Sequence, residues 1–156
     1  MSESEVISYN KSVIYAAEKF AKVIKEYMKI VHKKHNIPIN HNEYIILEEI
    51  VFNPGITQGD LARSLSIQRT YVSKILSSLE DRAYITREQE KKSKQIIAVK
   101  SYATDKGKEI HKQSRNILVQ EANELFSEKE KEELDNVSHI LFKQIEKITK
   151  IYNIKF

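Results

Sequence analysis

The chain of 156 residues has no cysteine, only three glycines and only two prolines. Each scarcity excludes something. Without cysteine there are no disulfides, no thiolate metal ligands and no thiol redox sensor. No GxGxxG or P-loop is present to cradle phosphates, and neither HExxH nor GxSxG occurs, so no enzyme and no cofactor are expected. Sheets and barrels consume turn residues, so the shortage of glycine and proline favours long helices with few connections. Long apolar runs are missing as well: Glu or Lys interrupts each one well short of a membrane span. The N-terminal MSESEVISYNK lacks the apolar stretch of a signal peptide. A cytoplasmic protein without membrane contact is the simplest expectation.

What is present is 40% hydrophobic and 31% charged, a globular composition and not a disordered one. The length suits one domain-sized unit with a real core. The net charge of +4 is unevenly placed. Thr57 to Gly107 holds ten Lys/Arg against six Asp/Glu, while the rest of the chain balances at sixteen of each. A polyanionic partner would be met in the middle third.

Apolar residues recur at spacings of three and four from about Ser8 to Lys34, including Val13, Ala17, Phe20, Ile24, Tyr27 and Val31. A broad apolar face results, ended by the turn at Pro38. Asn40 to Glu43 has the form of a capping box opening a helix over His41–Phe52, which Asn53-Pro54-Gly55 stops. Thr57 caps a short helix carrying Leu61, Ala62 and Leu65, and a further helix from about Gln68 to Arg82 follows with Val72, Ile75, Leu76 and Leu79 inward. Tyr84–Arg87 and Ile96–Val99 read as the two strands of a hairpin, separated by a charged loop from Glu88 to Lys94. Thr104 opens another helix. Ser127 to Glu130 is a second capping box, and the last helix carries Leu134, Val137, Ile140, Leu141, Ile145 and Ile148.

The rhythm of LARSLSIQRTYVSKIL, Leu61 to Leu76, breaks at Ser66 without glycine or proline. Two short helices crossing steeply need a small apolar contact, and Ala62, Ile67, Val72 and Ile75 supply one. Ser66 stands where a turn glycine is usual, and its hydroxyl can cap the second helix. With Val72, Ile75, Leu76 and Leu79 inward, Gln68, Arg69, Thr70, Ser73, Lys74 and Ser77 must face outward. At the start of a recognition helix they would meet base edges and phosphates in a major groove: Gln and Arg pair with adenine and guanine, Ser, Thr and Lys with phosphate. An ordinary helical hairpin with a solvated polar face reads the same way. The basic-tipped hairpin that follows favours a winged helix, with Arg87, Lys91, Lys92, Lys94 and Gln95 as wing contacts; a solvated loop is the alternative for any one of them.

The run from Ile56 to Gly107 resembles the MarR family of bacterial and archaeal regulators. The likeness rests on TQxxLAxxLxI, then VSxxLxxLExxxYIxR, then TxxG opening the next helix. Three departures stand out. Ala83 replaces the glycine that usually precedes the first wing strand, Ser93-Lys94-Gln95 stands in place of Asp-x-Arg, and the link Val99–Thr104 is about two residues longer. Lys94 is the candidate substitute for the minor-groove arginine.

The resemblance implies a mainly α fold: a winged helix-turn-helix with a small two-stranded β-wing over residues 39–107, plus N- and C-terminal dimerisation helices over 1–38 and 108–156. It implies a homodimeric, sequence-specific transcriptional regulator, a repressor, on a pseudo-palindromic promoter site in double-stranded DNA. The DNA-contact candidates are Thr57, Ser66, Gln68, Arg69, Thr70, Ser73, Lys74, Arg87, Lys92 and Lys94. A small-molecule effector is a further implication, with Tyr27, Val31, Tyr44 and Phe52 as candidate lining. His32, His35 and His41 raise the question of a metal, but histidines at a helix end are ordinarily surface residues and none is assigned. The competing reading is a winged-helix architectural or protein-interaction module without sequence preference.

Overall fold

The computed structural model describes residues 12–92 and 95–154, and the chain divides into two compact units between His41 and Asn42. The N-terminal unit contains α1, Val13–Lys34. Ser12 caps it, its hydroxyl accepting from the Tyr15 amide at 3.2 Å, and His32, Lys33 and Lys34 place positive or protonatable groups at the negative end of the helix dipole. Residues 8–11 of the expected helix lie outside the described residues.

The second unit is built on α2 (His41–Phe52), α3 (Gln58–Ser64), α4 (Arg69–Asp81), α5 (Asp105–Leu125) and α6 (Glu128–Tyr152). Three short strands complete it: β1 (Ile56–Thr57), β2 (Ile85–Lys92) and β3 (Gln95–Ala103). Its core is Ile46, Leu47, Ile50, Leu61, Val72, Leu76, Leu79 and Ile85, all essentially inaccessible to water. The inward stripe expected for α4 is therefore the buried one.

The caps follow the sequence closely. Thr57 accepts from the Asp60 amide at the start of α3, Thr104 from the Gly107 amide at the start of α5. Ser127 and Glu130 form a complete capping box on α6. Gly107 has a packing role besides: a Cβ there would collide with the Tyr84 carbonyl oxygen. The Thr104 hydroxyl donates to the Ala83 and Tyr84 carbonyls, so the start of α5 sits directly on the backbone that links α4 to β2.

Two features of the sheet differ from the sequence reading. The residues taken as a charged loop, Glu88 to Lys92, are strand: β2 pairs antiparallel with β3 from Ile85 opposite Ala103 to Lys92 opposite Gln95. A register shift between Glu90 and Lys91 bends the ribbon. The wing also gains a third strand. β1 pairs with β3, Ile56 opposite Ser101 and Thr57 opposite Lys100, giving the order β1-β3-β2. That pairing ties the entry of α3 to the wing.

Helix ends are closed without glycine. The Ile67 amide reaches the Ala62 carbonyl and the Ser66 amide the Arg63 carbonyl, with Ser66 at φ +52°. The same paired bonds close α4, Tyr84 to Leu79 and Ala83 to Glu80, with Ala83 at φ +59°. These are left-handed closures in which glycine is the usual residue. The expectation that the Ser66 hydroxyl caps α4 is corrected: Gln68 is the N-cap, and no side-chain bond caps it. Among the described residues no helix is long and apolar enough to cross a membrane.

Candidate nucleic-acid interface

The first two turns of α4 carry the outward polar residues. Gln68, Arg69, Thr70 and Lys74 are exposed and Ser73 is half-buried. Thr70, Ser73 and Lys74 line one wall of an open depression of about 600 Å³, shared with Ser77, Ser78, Asp81 and Arg82. Thr57, Gln68 and Arg69 border a second, of about 570 Å³, with Gly59, Arg63 and Ile67. The α4 and Thr57 candidates thus lie around two adjoining hollows. Ser77, Ser78, Asp81 and Arg82 extend this surface along α4, and of these only Ser77 follows from the outward stripe.

Several candidates have protein partners that fix them. Thr57 donates to Asp60 Oδ2 at 2.6 Å besides accepting the Asp60 amide, so its hydroxyl is spent on closing α3. The Thr57 hydrogen bond, then that of Arg63, holds the Asp60 carboxyl below its usual range. Arg69 folds back over α3, where Gly59 makes room for it: a Cβ at Gly59 would stand 3.1 Å from the guanidinium. Gln58 Nε2 donates to the Arg69 carbonyl at 2.9 Å and pins the first turn of α4.

Arg87, expected on the wing as a DNA contact, instead presents Nε and Nη2 to Glu80 Oε2 and ties β2 to α4. Arg63 pairs with Asp60, Arg82 with Glu43 and Lys100 with Glu90. Four of the ten cations in this segment are therefore held in ion pairs, but only Glu43 is an acid from outside it, so most of the excess positive charge is left over. Among the described residues Arg69, Lys74 and Lys91 remain as exposed cations in no ion pair on α4 and β2. Lys92 ends β2, while its side chain and all of Lys94 lie outside the described residues.

The effector candidates divide between the units. Tyr27 and Val31 are on α1, Tyr44 and Phe52 on α2. Tyr44 donates to Glu48 at 2.9 Å and stacks on His111 with ring centroids 5.5 Å apart. Burial, then the bond to Glu48, pushes its hydroxyl up. Phe52 meets the same imidazole edge to face at 5.8 Å. His111, which the sequence reading did not single out, is thus the centre of the α2–α5 contact. In the N-terminal unit His32 and His41 meet edge to face at 5.9 Å, and burial pushes His41 down to about 4. No group of three or more His, Asp or Glu is placed to hold a metal ion among the described residues.

Comparison with known proteins adds the context. Residues 37–96 match the model of the MarR family. YybA of Bacillus subtilis (strain 168), an uncharacterized HTH-type transcriptional regulator, is 27% identical over 115 residues, covering 72% of this chain and 75% of its own. A MarR transcriptional regulator from Methanosarcina mazei Go1 superposes with a TM-score of 0.72 at 22% identity, over 86% of this chain and 99% of that one. FabT of Streptococcus pneumoniae, solved in complex with DNA, superposes at 0.59 with 21% identity, over 86% and 94%. Residues 37–96 are thus similar to the MarR family, and the chain shares its fold with solved MarR proteins.

Proposed function

We propose that the chain is a sequence-specific DNA-binding repressor that acts as a homodimer on a pseudo-palindromic promoter site. The observation that carries it is the polar start of α4: Gln68, Thr70, Ser73 and Lys74 stand at the surface of a helix whose opposite stripe is wholly buried, beside a β-wing. Such a helix presents its first turns to a major groove. Lys74 and the wing lysines supply the phosphate contacts, Gln68 and Thr70 the base contacts. FabT, with the same fold, was solved on DNA.

The dimer is supported by α6. Val137, Ile140, Phe142, Ile145, Ile148, Ile151 and Tyr152 are all exposed on the single chain, and a second copy covers such a face at least cost. The segments 1–38 and 108–156 are accordingly the dimerisation helices and 39–107 the DNA-binding region. A two-fold pair would place two copies of α4 one helical turn of DNA apart, roughly 34 Å.

Selection of bound genomic fragments, followed by competition with random-sequence duplex, tests the reading. Enrichment of an inverted repeat that resists a large excess of competitor is expected, with affinity falling steeply as salt rises. Equal displacement by any duplex would overturn it and favour an architectural module. Lys74→Ala should weaken binding to all sequences alike and flatten the salt dependence by about one counterion per site. The sign of regulation is read from transcription of the selected promoter with and without the protein.

A further inference from the structure

We propose that Asn42 and Glu43, in the first turn of α2, set the rotation of α4 about its own axis, and that Tyr71 is a positioning residue and not a reader of bases. The proposal rests on α4 being the DNA-facing helix.

Glu43 is 7% exposed, an acidic residue in the core. Its Oε1 accepts from Ser78 Oγ at 2.9 Å and from Arg82 Nη2. Arg82 also gives Nε to the Ser78 carbonyl at 3.1 Å and Nη2 to Ser78 Oγ at 3.1 Å. Beside it, Asn42 Nδ2 donates to the Tyr71 hydroxyl at 2.6 Å. One turn of α2 thus holds α4 near both ends.

Tyr71, Ser78 and Arg82 are seven and four residues apart and share one edge of α4. That edge runs between the buried stripe of Val72, Ile75 and Leu79 and the outward residues Thr70, Ser73, Lys74 and Ser77. Apolar burial is non-directional and resists a small roll weakly, whereas hydrogen bonds at a flank resist it by their geometry. At a helix radius of 5–6 Å, a roll of about 20° carries a side-chain tip about 2 Å, beyond what a base-edge hydrogen bond tolerates. Tyr71 is 41% exposed and follows directly on the outward residues Gln68, Arg69 and Thr70. Its hydroxyl, however, is turned to α2.

The test uses the full chain and the variants Glu43→Gln, Asn42→Ala and Tyr71→Phe, each measured by selection from a random duplex library, by affinity for unselected duplex and by thermal unfolding. A blurred base preference is expected, with the ratio of specific to non-specific affinity down roughly tenfold in Glu43→Gln and severalfold in the other two. Affinity for unselected duplex should stay near that of the parent. A base preference unchanged in Tyr71→Phe and Asn42→Ala would overturn the proposal, even if Glu43→Gln fails to fold. So would a loss confined to one base pair in Tyr71→Phe, because that is the mark of a direct reader. If the parent chain itself shows no selectivity, the DNA reading falls and this proposal with it; selectivity that ignores all three variants removes the positioning role alone.

Discussion

Helices α4 and α6 are both amphipathic, yet the fold treats them in opposite ways. Thirteen-residue α4 buries Val72, Ile75, Leu76 and Leu79, none of them more than 7% exposed. Twenty-five-residue α6 fully buries no side chain: Leu134 and Leu141 are half-buried, and seven further apolar residues range from 44% exposure at Ile145 to 73% at Tyr152. An apolar stripe says that something must cover it and leaves open what does. For α4 the cover is this chain's own core. For α6 the proposed cover is a second copy, and the two helices should answer mutation differently.

Leu76→Ala removes a side chain 1% exposed at the centre of the core. It should cost about 2–5 kcal/mol in equilibrium unfolding, from lost transfer energy and the cavity left behind. The matching change on α6, Ile145→Ser with Ile148→Ser, should leave Leu76 and its neighbours as they are and show itself in mass. Sedimentation should find the dimer shifted toward monomer at concentrations where the parent is paired. A double variant that stays dimeric, or that collapses like Leu76→Ala, would erase the contrast.

Gly107→Ala probes the platform under α4. Its Cβ would meet the Tyr84 carbonyl oxygen, which is backbone and cannot swing aside. Overpacking of this kind costs about 1–3 kcal/mol, and denaturant midpoints should fall accordingly. Because the strain lies where α4 passes into β2, protection of the α4 amides from hydrogen exchange should drop more than that of α6.

These particulars also show how far the sequence could be read. The stripe of α4, the Thr57 and Thr104 caps and the Ser127–Glu130 box are local, within three or four residues, and so were legible. The outward face of α4 followed by subtraction. The third strand was not legible, since two residues have no period to detect. Nor was the length of β2: Glu88 to Lys92 resembles a solvated loop in composition, and only pairing with β3 makes it strand. The roles of Arg82 and Arg87 were hidden for a related reason. A lone cation in a basic segment looks like a phosphate contact, and nothing in the chain announces that Glu43, 39 positions away, turns toward Arg82.

A pH dependence tests the helix whose first turn holds α4. Burial first, and then the positive charges near it, including Lys25 and Lys29, lower His41 from 6.5 to about 4. The unfolded chain therefore takes up this proton near pH 6.5, and the folded chain only near pH 4. Between those values the unfolded state binds more protons, so stability falls as the pH falls through the window and is retained above it. With His41 only half-buried, solvent screening reduces the effect to about 1 kcal/mol. His41→Gln should remove that part of the acid sensitivity, and urea titrations at pH 7 and pH 4.5 measure the difference. An unchanged difference would place the acid response elsewhere.

The smallest effects should come from the helix ends, and they sharpen the contrast between α4 and α6. Helix α4 ends on Ala83 at φ +59° and α6 on Asn153 at φ +51°. Asparagine enters the left-handed region readily because its short amide bonds locally, whereas alanine meets the Cβ clash without compensation. Ala83→Gly should therefore stabilise the chain by about 0.5–1 kcal/mol even after glycine's added freedom when unfolded is counted. Ser66→Gly, at the end of α3, should gain less, since a serine hydroxyl can bond locally. Asn153→Gly should change nothing measurable. The order Ala83, Ser66, Asn153 in thermal shift is the expected result, and a gain at Asn153 equal to that at Ala83 would break it. The order has a cause in packing: α4, held by four buried side chains and the first turn of α2, tolerates a strained end, whereas α6 fully buries no side chain within the chain and ends on a residue that enters this conformation with little strain.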